Sequence, residues 1–229
     1  MALYAIGDTH LSLGVDKPMD DFGGWDHYVE RLEQNWRALV GPGDTVVIAG
    51  DVSWAMNLEQ AAADFAFLDR LPGQKLLIKG NHDYWWTTRK KMDAFFAERG
   101  FSTLRIVHND AVAVDGRVSV CGTRGWFFDA EEDADRLILD REIGRLHASA
   151  AAARQTGLPP VAFLHYPPVF GEYVCEDMIA ALKEEGITRC YYGHVHGPGI
   201  RKAFNGVWEG IALRLISADA LGFTPLFIP

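Results

Sequence analysis

The sequence predicts an α/β domain, with a mixed sheet or a pair of sheets covered by helices. Short apolar runs of strand length alternate with longer stretches at helical spacing. Gly and Pro punctuate the joints between them. The 229 residues, 48% of them hydrophobic, suffice for one domain with a sizeable core spanning 1–229. No linker, repeat or low-complexity tract divides the chain.

Leu3–Ile6 reads as a buried strand. Asp26–Val40 reads as a helix, with Val29, Leu32, Trp36 and Leu39 near helical spacing, and Gly41-Pro42-Gly43-Asp44 ends it. Thr45–Ala49 is β-rich. Asn57-Leu58-Glu59-Gln60 has the form of a capping box opening a helix to Leu71, where Pro72-Gly73 stops it. Lys75–Lys79 is the next strand, and Thr88–Arg99 a helix closed by Gly100. Leu104–Val107, Val112–Val114 and Val118–Cys121 are β-like, and Asp115-Gly116 is a hairpin signal. Ala134–Gln155 is the longest helix, ended by Gly157 and Pro159-Pro160. Val161–Leu164 and Arg189–Tyr192 are strands on either side of a short helix near Asp177–Glu185, and a last β region covers Val207–Ser217.

The net charge is −9, from 22 Lys+Arg against 31 Asp+Glu. That balance argues against broad binding to nucleic acid or anionic membrane, which needs a basic face. It leaves a phosphate substrate open, because bound cations dominate the field of their own site. Cys121, Cys175 and Cys190 are scattered and match neither a disulfide framework nor a zinc-finger spacing, so reduced, buried thiols are expected. Met1–Ile6 runs directly into Gly7-Asp8 without a basic or long apolar lead, so no signal peptide is expected. No apolar run reaches membrane-spanning length. A cytoplasmic location is the resulting expectation, and the oligomeric state is left open.

The chemistry lies where strands end. Gly7-Asp8-Thr9-His10 follows the first strand, Gly50-Asp51 the second and Gly80-Asn81-His82-Asp83 the third. His165 follows Val161–Leu164, and Gly193-His194-Val195-His196 follows Arg189–Tyr192. Ligands of α/β sheets bind beyond the carboxyl ends of strands, so these clusters are expected to converge. Asp, Asn and His supply the oxygen and nitrogen donors that suit Zn, Mn or Fe. His27, His108 and His147 lie outside the clusters and read as ordinary surface or core residues.

Taken together, these motifs resemble the calcineurin-like metallophosphoesterase superfamily. They span residues 7 to 196, most of the chain. The resemblance implies a four-layer α/β/β/α sandwich with a dinuclear metal site that hydrolyses phosphomonoesters or phosphodiesters. It implies Asp8, His10 and His196 as ligands of one divalent metal, Asn81, His165 and His194 as ligands of the other, and Asp51 as the bridge. A shared carboxylate holds two cations about 3.5–4 Å apart, and a bridging water losing a proton becomes the nucleophile. His82 matches the family's non-ligand histidine, which protonates the leaving oxygen or stabilises the transition state.

One departure bears on the branch. In the protein-phosphatase branch the second motif continues to a further Asp followed by Arg and Gly. Here Gly50-Asp51 continues Val52-Ser53-Trp54, so Trp54 stands where that Asp would orient the catalytic histidine, and the phosphate-binding Arg is missing. A protein Ser/Thr phosphatase is therefore disfavoured, and a small phosphate ester is the expected substrate. Gly50–Met56 and His82–Trp86 are similar to a group of uncharacterised bacterial phosphohydrolases.

Other residues carry secondary expectations. Asp83 is expected to fix its loop or a ligand histidine, or simply to cap a turn. Arg124, in Gly122-Thr123-Arg124-Gly125, is the candidate phosphate clamp. The competing role for it is an ion pair with an acid between Asp129 and Asp133. Tyr84-Trp85-Trp86 offers a stacking platform or loop packing, and Leu11–Trp25 is long enough to cover a substrate. A metal-free scaffold of the same fold is the alternative to an enzyme. A metallo-β-lactamase-type hydrolase is disfavoured, because its dense histidine motif does not occur.

Overall fold

The computed structural model describes residues 1–126 and 133–229. The strands of its first half are β1 (Leu3–Ile6), β2 (Thr45–Ala49), β3 (Gln74–Ile78), β4 (Leu104–Ile106), β5 (Val112–Val114) and β6 (Val118–Thr123). Those of the second half are β7 (Pro160–Leu164), β8 (Val169–Phe170), β9 (Tyr173–Val174), β10 (Arg189–Tyr192), β11 (Gly206–Trp208), β12 (Ile211–Leu215) and β13 (Leu226–Ile228). The helices are α1 (Tyr28–Leu39), α2 (Ala62–Arg70), α3 (Arg89–Arg99), α4 (Asp133–Gln155) and α5 (Glu176–Glu184).

Two mixed sheets carry the fold. One runs β13-β1-β2-β3-β4 and the other β11-β12-β10-β7-β6-β5. Strands β1 to β4 are parallel, with β13 antiparallel at the edge. In the second sheet β6, β7, β10 and β12 are parallel, and β5 and β11 close the edges antiparallel.

Strand residues alternate between two faces, which sorts the apolar side chains into three layers. Leu3, Ala5, Val47, Ala49, Leu76 and Ile78 meet Val120, Val161, Phe163 and Tyr191 between the sheets. Ile6, Val46, Ile48 and Leu77 face Leu32, Trp36, Phe65 and Phe96 of α1, α2 and α3. Cys121, Ala162, Leu164, Cys190 and Tyr192 face Leu146, Ala150, Met178 and Leu182 of α4 and α5. The result is the expected helix/sheet/sheet/helix sandwich. The three cysteines are free and buried.

Some boundaries differ from expectation. Helix α2 begins at Ala62, not at Asn57. The capping bonds still form one turn earlier: Asn57 Oδ1 accepts from Gln60 N (3.0 Å) and Gln60 Oε1 accepts from Met56 N (3.0 Å). The last β region is a hairpin, β11–β12, turning at Glu209 (φ 46°) and Gly210 (φ 87°). Two positive φ values are the signature of a type I′ turn, which Glu-Gly does not usually announce. Strands β8, β9 and β13 have two or three residues each, too few for a periodic signal. Among the described residues, no helix is long and apolar enough to cross a membrane.

Candidate metal centre

The carboxyl ends of β1, β2, β3, β7 and β10 deliver all seven expected ligands to one place. Asp8, His10 and His196 form one group and Asp51, His165 and His194 a second, with the ligand atoms of each within 4.8 Å of one another. Asn81 joins the second group: its Oδ1 lies 2.6 Å from His165 Nε2 and 3.0 Å from His194 Nδ1. Asp51 Oδ2 is 3.5 Å from His165 Nε2 and 3.7 Å from His10 Nε2, so one carboxylate lies between the groups.

The backbone is strained to achieve this. Asp8, His10, Asp51 and His194 all have φ between 44° and 72°. Left-handed backbone at non-glycine residues costs on the order of 1–3 kcal/mol each and concentrates at functional sites. The motif glycines answer a different need. A Cβ on Gly80 would lie 2.1 Å from Asp51 Oδ1, and one on Gly193 would lie 2.4 Å from Asp8 Oδ2. Only a bare Cα admits those carboxylates.

Backbone N–H groups hold the acids in place. Asp8 accepts from His194 N at 2.9 Å, and Asp51 Oδ1 accepts from His82 N at 2.8 Å. Asp83 is fully buried and, among the described residues, makes no hydrogen bond or ion pair to a candidate ligand histidine. It accepts from Gly80 N (2.7 Å), Asp51 N (3.0 Å), Val52 N (2.8 Å) and Trp85 Nε1 (2.9 Å). It thereby laces the loop after β3 to the loop that carries Asp51.

The electrostatics fit cations. Burial lowers the pKa of His10 and His165 and takes His194 down to about 3, so these imidazoles offer lone pairs at neutral pH. Burial, then Asp8, pushes Asp51 up to about 8. Burial disfavours charge on His196, but Asp8 and Asp219 outweigh it and raise its pKa to about 10. Burial would raise Asp8, yet His196, His165 and His10 hold it below the usual carboxylate range. His10 Nε2 and His196 Nε2 face each other at 3.3 Å. Three acids or amides and four imidazoles converging in this way suit two divalent cations with mixed oxygen and nitrogen donors.

His82 sits beside the cluster without joining either group. Its Nδ1 is 3.3 Å from the Tyr84 hydroxyl, and its ring is 4.4 Å from that of Trp54. Trp54 also stacks on His10 at 4.7 Å. An indole and a phenol thus surround the histidine where the protein-phosphatase pattern has a carboxylate. Burial first, then the neighbouring His165 and Lys17, bring His82 down to about 4.

The clamp expected at Arg124 takes a different course. Its Nη2 pairs with the buried Glu142 at 3.2 Å, and its guanidinium lies over Trp126. Glu142 also accepts from Thr123 Oγ1 and pairs with Arg145. The Arg124 carbonyl accepts from His165 N at 3.0 Å. The ion-pair partner is therefore on α4; of the acids considered for it, 129–132 lie outside the described residues. The aromatic run divides as well: Trp85 is buried against Phe65, Trp86 lies 6.0 Å from the His108 ring, and Tyr84 stays exposed beside His82.

One residue escaped the sequence. Asp219 Oδ1 lies 3.0 Å from His196 Nδ1 and its Oδ2 accepts from Gly197 N. It follows β12 as the other acids follow their strands, and that was the available signal.

The sequence profile of calcineurin-like phosphoesterases matches residues 1–198. The chain belongs to that family. No curated protein matches it. Among solved structures, a protein of unknown function from Aquifex aeolicus is 15% identical, with 99% of this chain and 95% of that chain covered and a TM-score of 0.52. A phosphopantetheinyl hydrolase from Mycobacterium tuberculosis is 16% identical over 94% of this chain and 88% of that one, with a TM-score of 0.52. A protein from Thermus thermophilus is 13% identical over 85% and 81%, with a TM-score of 0.53. At these identities the likeness is one of fold. The calcineurin-like family gives the chain a phosphoesterase-type function, and the clustered Asp and His side chains are compatible with a dinuclear site.

Proposed function

We propose that this chain hydrolyses a small phosphoric ester at a centre of two divalent metals, held by Asp8, His10 and His196 on one side and Asn81, His165 and His194 on the other. The observation that carries this is Asp51, whose one carboxylate oxygen lies between imidazoles of both groups. When bound, the two cations (Mn, Fe or Zn) supply Lewis-acid stabilisation of the phosphoryl oxygens and lower the pKa of the attacking water.

The chain's own residues do the rest. Asp83 keeps the Asp51 loop fixed, so the shared carboxylate does not reorganise during turnover. His82, beside the cluster, serves the leaving oxygen. When the Tyr84 hydroxyl donates to Nδ1, Nε2 carries the proton and faces the reaction. A neutral His82 stabilises the leaving oxygen by donating a hydrogen bond; full proton transfer requires the substrate's negative charge to raise its pKa first. Three buried, free thiols are compatible with the reducing cytoplasm proposed for this protein.

Metal analysis of the purified protein, with hydrolysis of p-nitrophenyl phosphate and bis(p-nitrophenyl) phosphate in added Mn²⁺, tests the proposal. Near-stoichiometric binding of two metals with metal-dependent release of p-nitrophenol is expected. A protein that takes up no metal and turns over neither ester is a scaffold.

A further inference from the structure

Resting on that hydrolase reading, we infer that the site selects phosphoesters whose leaving group carries an aliphatic chain, and that Phe22 is the residue that reads it. The pocket at the centre has a volume of about 620 Å³. Its floor holds His10, Asp51, His82, His194 and His196, and its wall is Met19, Phe22, Trp25, Trp54 and Pro198. The floor fixes the phosphoryl group. The leaving oxygen faces His82, and Trp54 lies against His82 at 4.4 Å, so the leaving group runs along the wall.

The wall comes from the segment between β1 and α1, and that segment is pinned. His27 N donates to Asp20 Oδ1 (3.0 Å), Arg31 Nη1 donates to the Gly24 carbonyl (2.8 Å), and Leu13 N donates to Asp64 Oδ1 (2.7 Å). Turns Met19–Phe22 and Phe22–Trp25 close on either side of the phenyl group. Despite this bracing, Phe22 is 58% exposed. The braced backbone holds this large apolar side chain on the wall of the pocket that contains the candidate metal ligands, where a ligand filling the pocket would cover it.

The ring geometry selects a chain over a flat ring. Trp54 is occupied by His10 stacked at 4.7 Å and by Lys17 Nζ lying 3.3 Å from its centroid. Trp25 makes edge contacts with His10, His196, Tyr28 and Phe223. Met19 Sδ accepts from Trp54 Nε1 at 3.1 Å. Met19 and Trp25 are buried, so the surface the wall offers is the free phenyl group of Phe22 with Trp54 and Pro198 beside it. A flexible aliphatic chain conforms to such a surface, whereas a nucleobase finds the lone Phe22 ring to stack on and no second open ring to sandwich it.

Alkylphosphonates, which bind without being hydrolysed, test this on the Mn²⁺-loaded protein. Affinity measured by calorimetry is expected to tighten by on the order of tenfold or more from methyl- to hexylphosphonate, since a fully buried methylene is worth up to about fourfold. Phe22→Ala should lose at least half of that logarithmic gain with methylphosphonate affinity, metal content and Tm unchanged, and Phe22→Leu should restore most of it. Equal affinity for both phosphonates in the wild type overturns the chain-binding wall, and the same slope in Phe22→Ala removes the role of Phe22. Turnover of p-nitrophenyl phosphate reports separately on the hydrolase: if it persists with a flat series, only this inference fails. If neither turnover nor phosphonate binding occurs, both fall.

Discussion

Asp219 and His196 are 23 residues apart in sequence, yet Asp219 Oδ1 lies 3.0 Å from His196 Nδ1. The parallel pairing of β10 with β12, in register at Tyr192 and Leu215, makes the contact. The carboxylate fixes the ring so that Nε2 faces Asp8 at 3.3 Å. Partners of this kind set the tautomer and basicity of a ligand histidine. Asp219→Ala is expected to weaken one of the two metal sites by about 10–100-fold and spare the other. Titration with Mn²⁺ at limiting concentration should show one tight equivalent in place of two. Two unchanged equivalents would remove Asp219 from the centre.

Asp51 differs from Asp219 because it stands between the groups. Asp51→Asn keeps the size and the hydrogen bond from His82 N but removes the shared negative charge. Both metals should bind more weakly and turnover should fall to a small residue. Normal metal content with normal activity would sink the two-metal mechanism.

For His82 the expected separation is between chemistry and metal. His82→Ala should lower kcat by about 10²–10⁴ with two metals retained. The loss should shrink for esters whose leaving group is a weak base. Tyr84→Phe, which removes the hydroxyl facing Nδ1, should give a smaller loss in kcat at unchanged KM. Loss of metal along with activity in His82→Ala would reassign His82 as a ligand.

Arg124 gives the contrary expectation. Its guanidinium pairs through Nη2 with Glu142, which Arg145 and Thr123 share. Arg124→Lys should leave kcat/KM nearly unchanged and lower Tm slightly. A large fall in kcat/KM at unchanged Tm would bring the phosphate-clamp role back.

The seven candidate ligands were legible because each sits within four residues of an apolar strand, in a cluster that reads locally. Their convergence then follows from parallel strands sharing one carboxyl edge. The four-layer sandwich was legible only through the family resemblance, because these central strands are near-continuous apolar runs buried on both faces and do not show which side chain enters which layer. What escaped depends on distant partners. Asp219 needs the β10–β12 register, and Arg124 needs Glu142, eighteen residues on along α4. Trp54 marked only an absence in the sequence; its packing between His10 and His82 exists only once β1, β2 and β3 lie side by side.

Asp64 provides a test of how the centre's support responds to pH. It is fully buried in α2. Its Oδ1 accepts from Leu13 N at 2.7 Å, at the start of the segment that walls the pocket, and its Oδ2 accepts from Ser53 Oγ, two residues past Asp51. Burial pushes its pKa from 3.8 up to about 6, against the lowering effect of those two hydrogen bonds. The folded state therefore holds the proton more tightly than the unfolded chain between those values. Its contribution to stability is greatest below pH 4, falls as pH rises toward 6, and is level above that. Asp64→Asn keeps an acceptor for Leu13 N and removes the titration. In the metal-free protein, the stability of the variant relative to wild type should thus rise between pH 4 and pH 6, by on the order of 1–3 kcal/mol, since each tenfold difference in proton affinity is worth about 1.4 kcal/mol. Other titrating groups, present in both proteins, cancel in the difference. Urea unfolding of the pair at pH 4.5, 5.5, 6.5 and 7.5 measures it, and parallel pH profiles would show that Asp64 is not the group whose burial couples the pocket wall to the Asp51 loop.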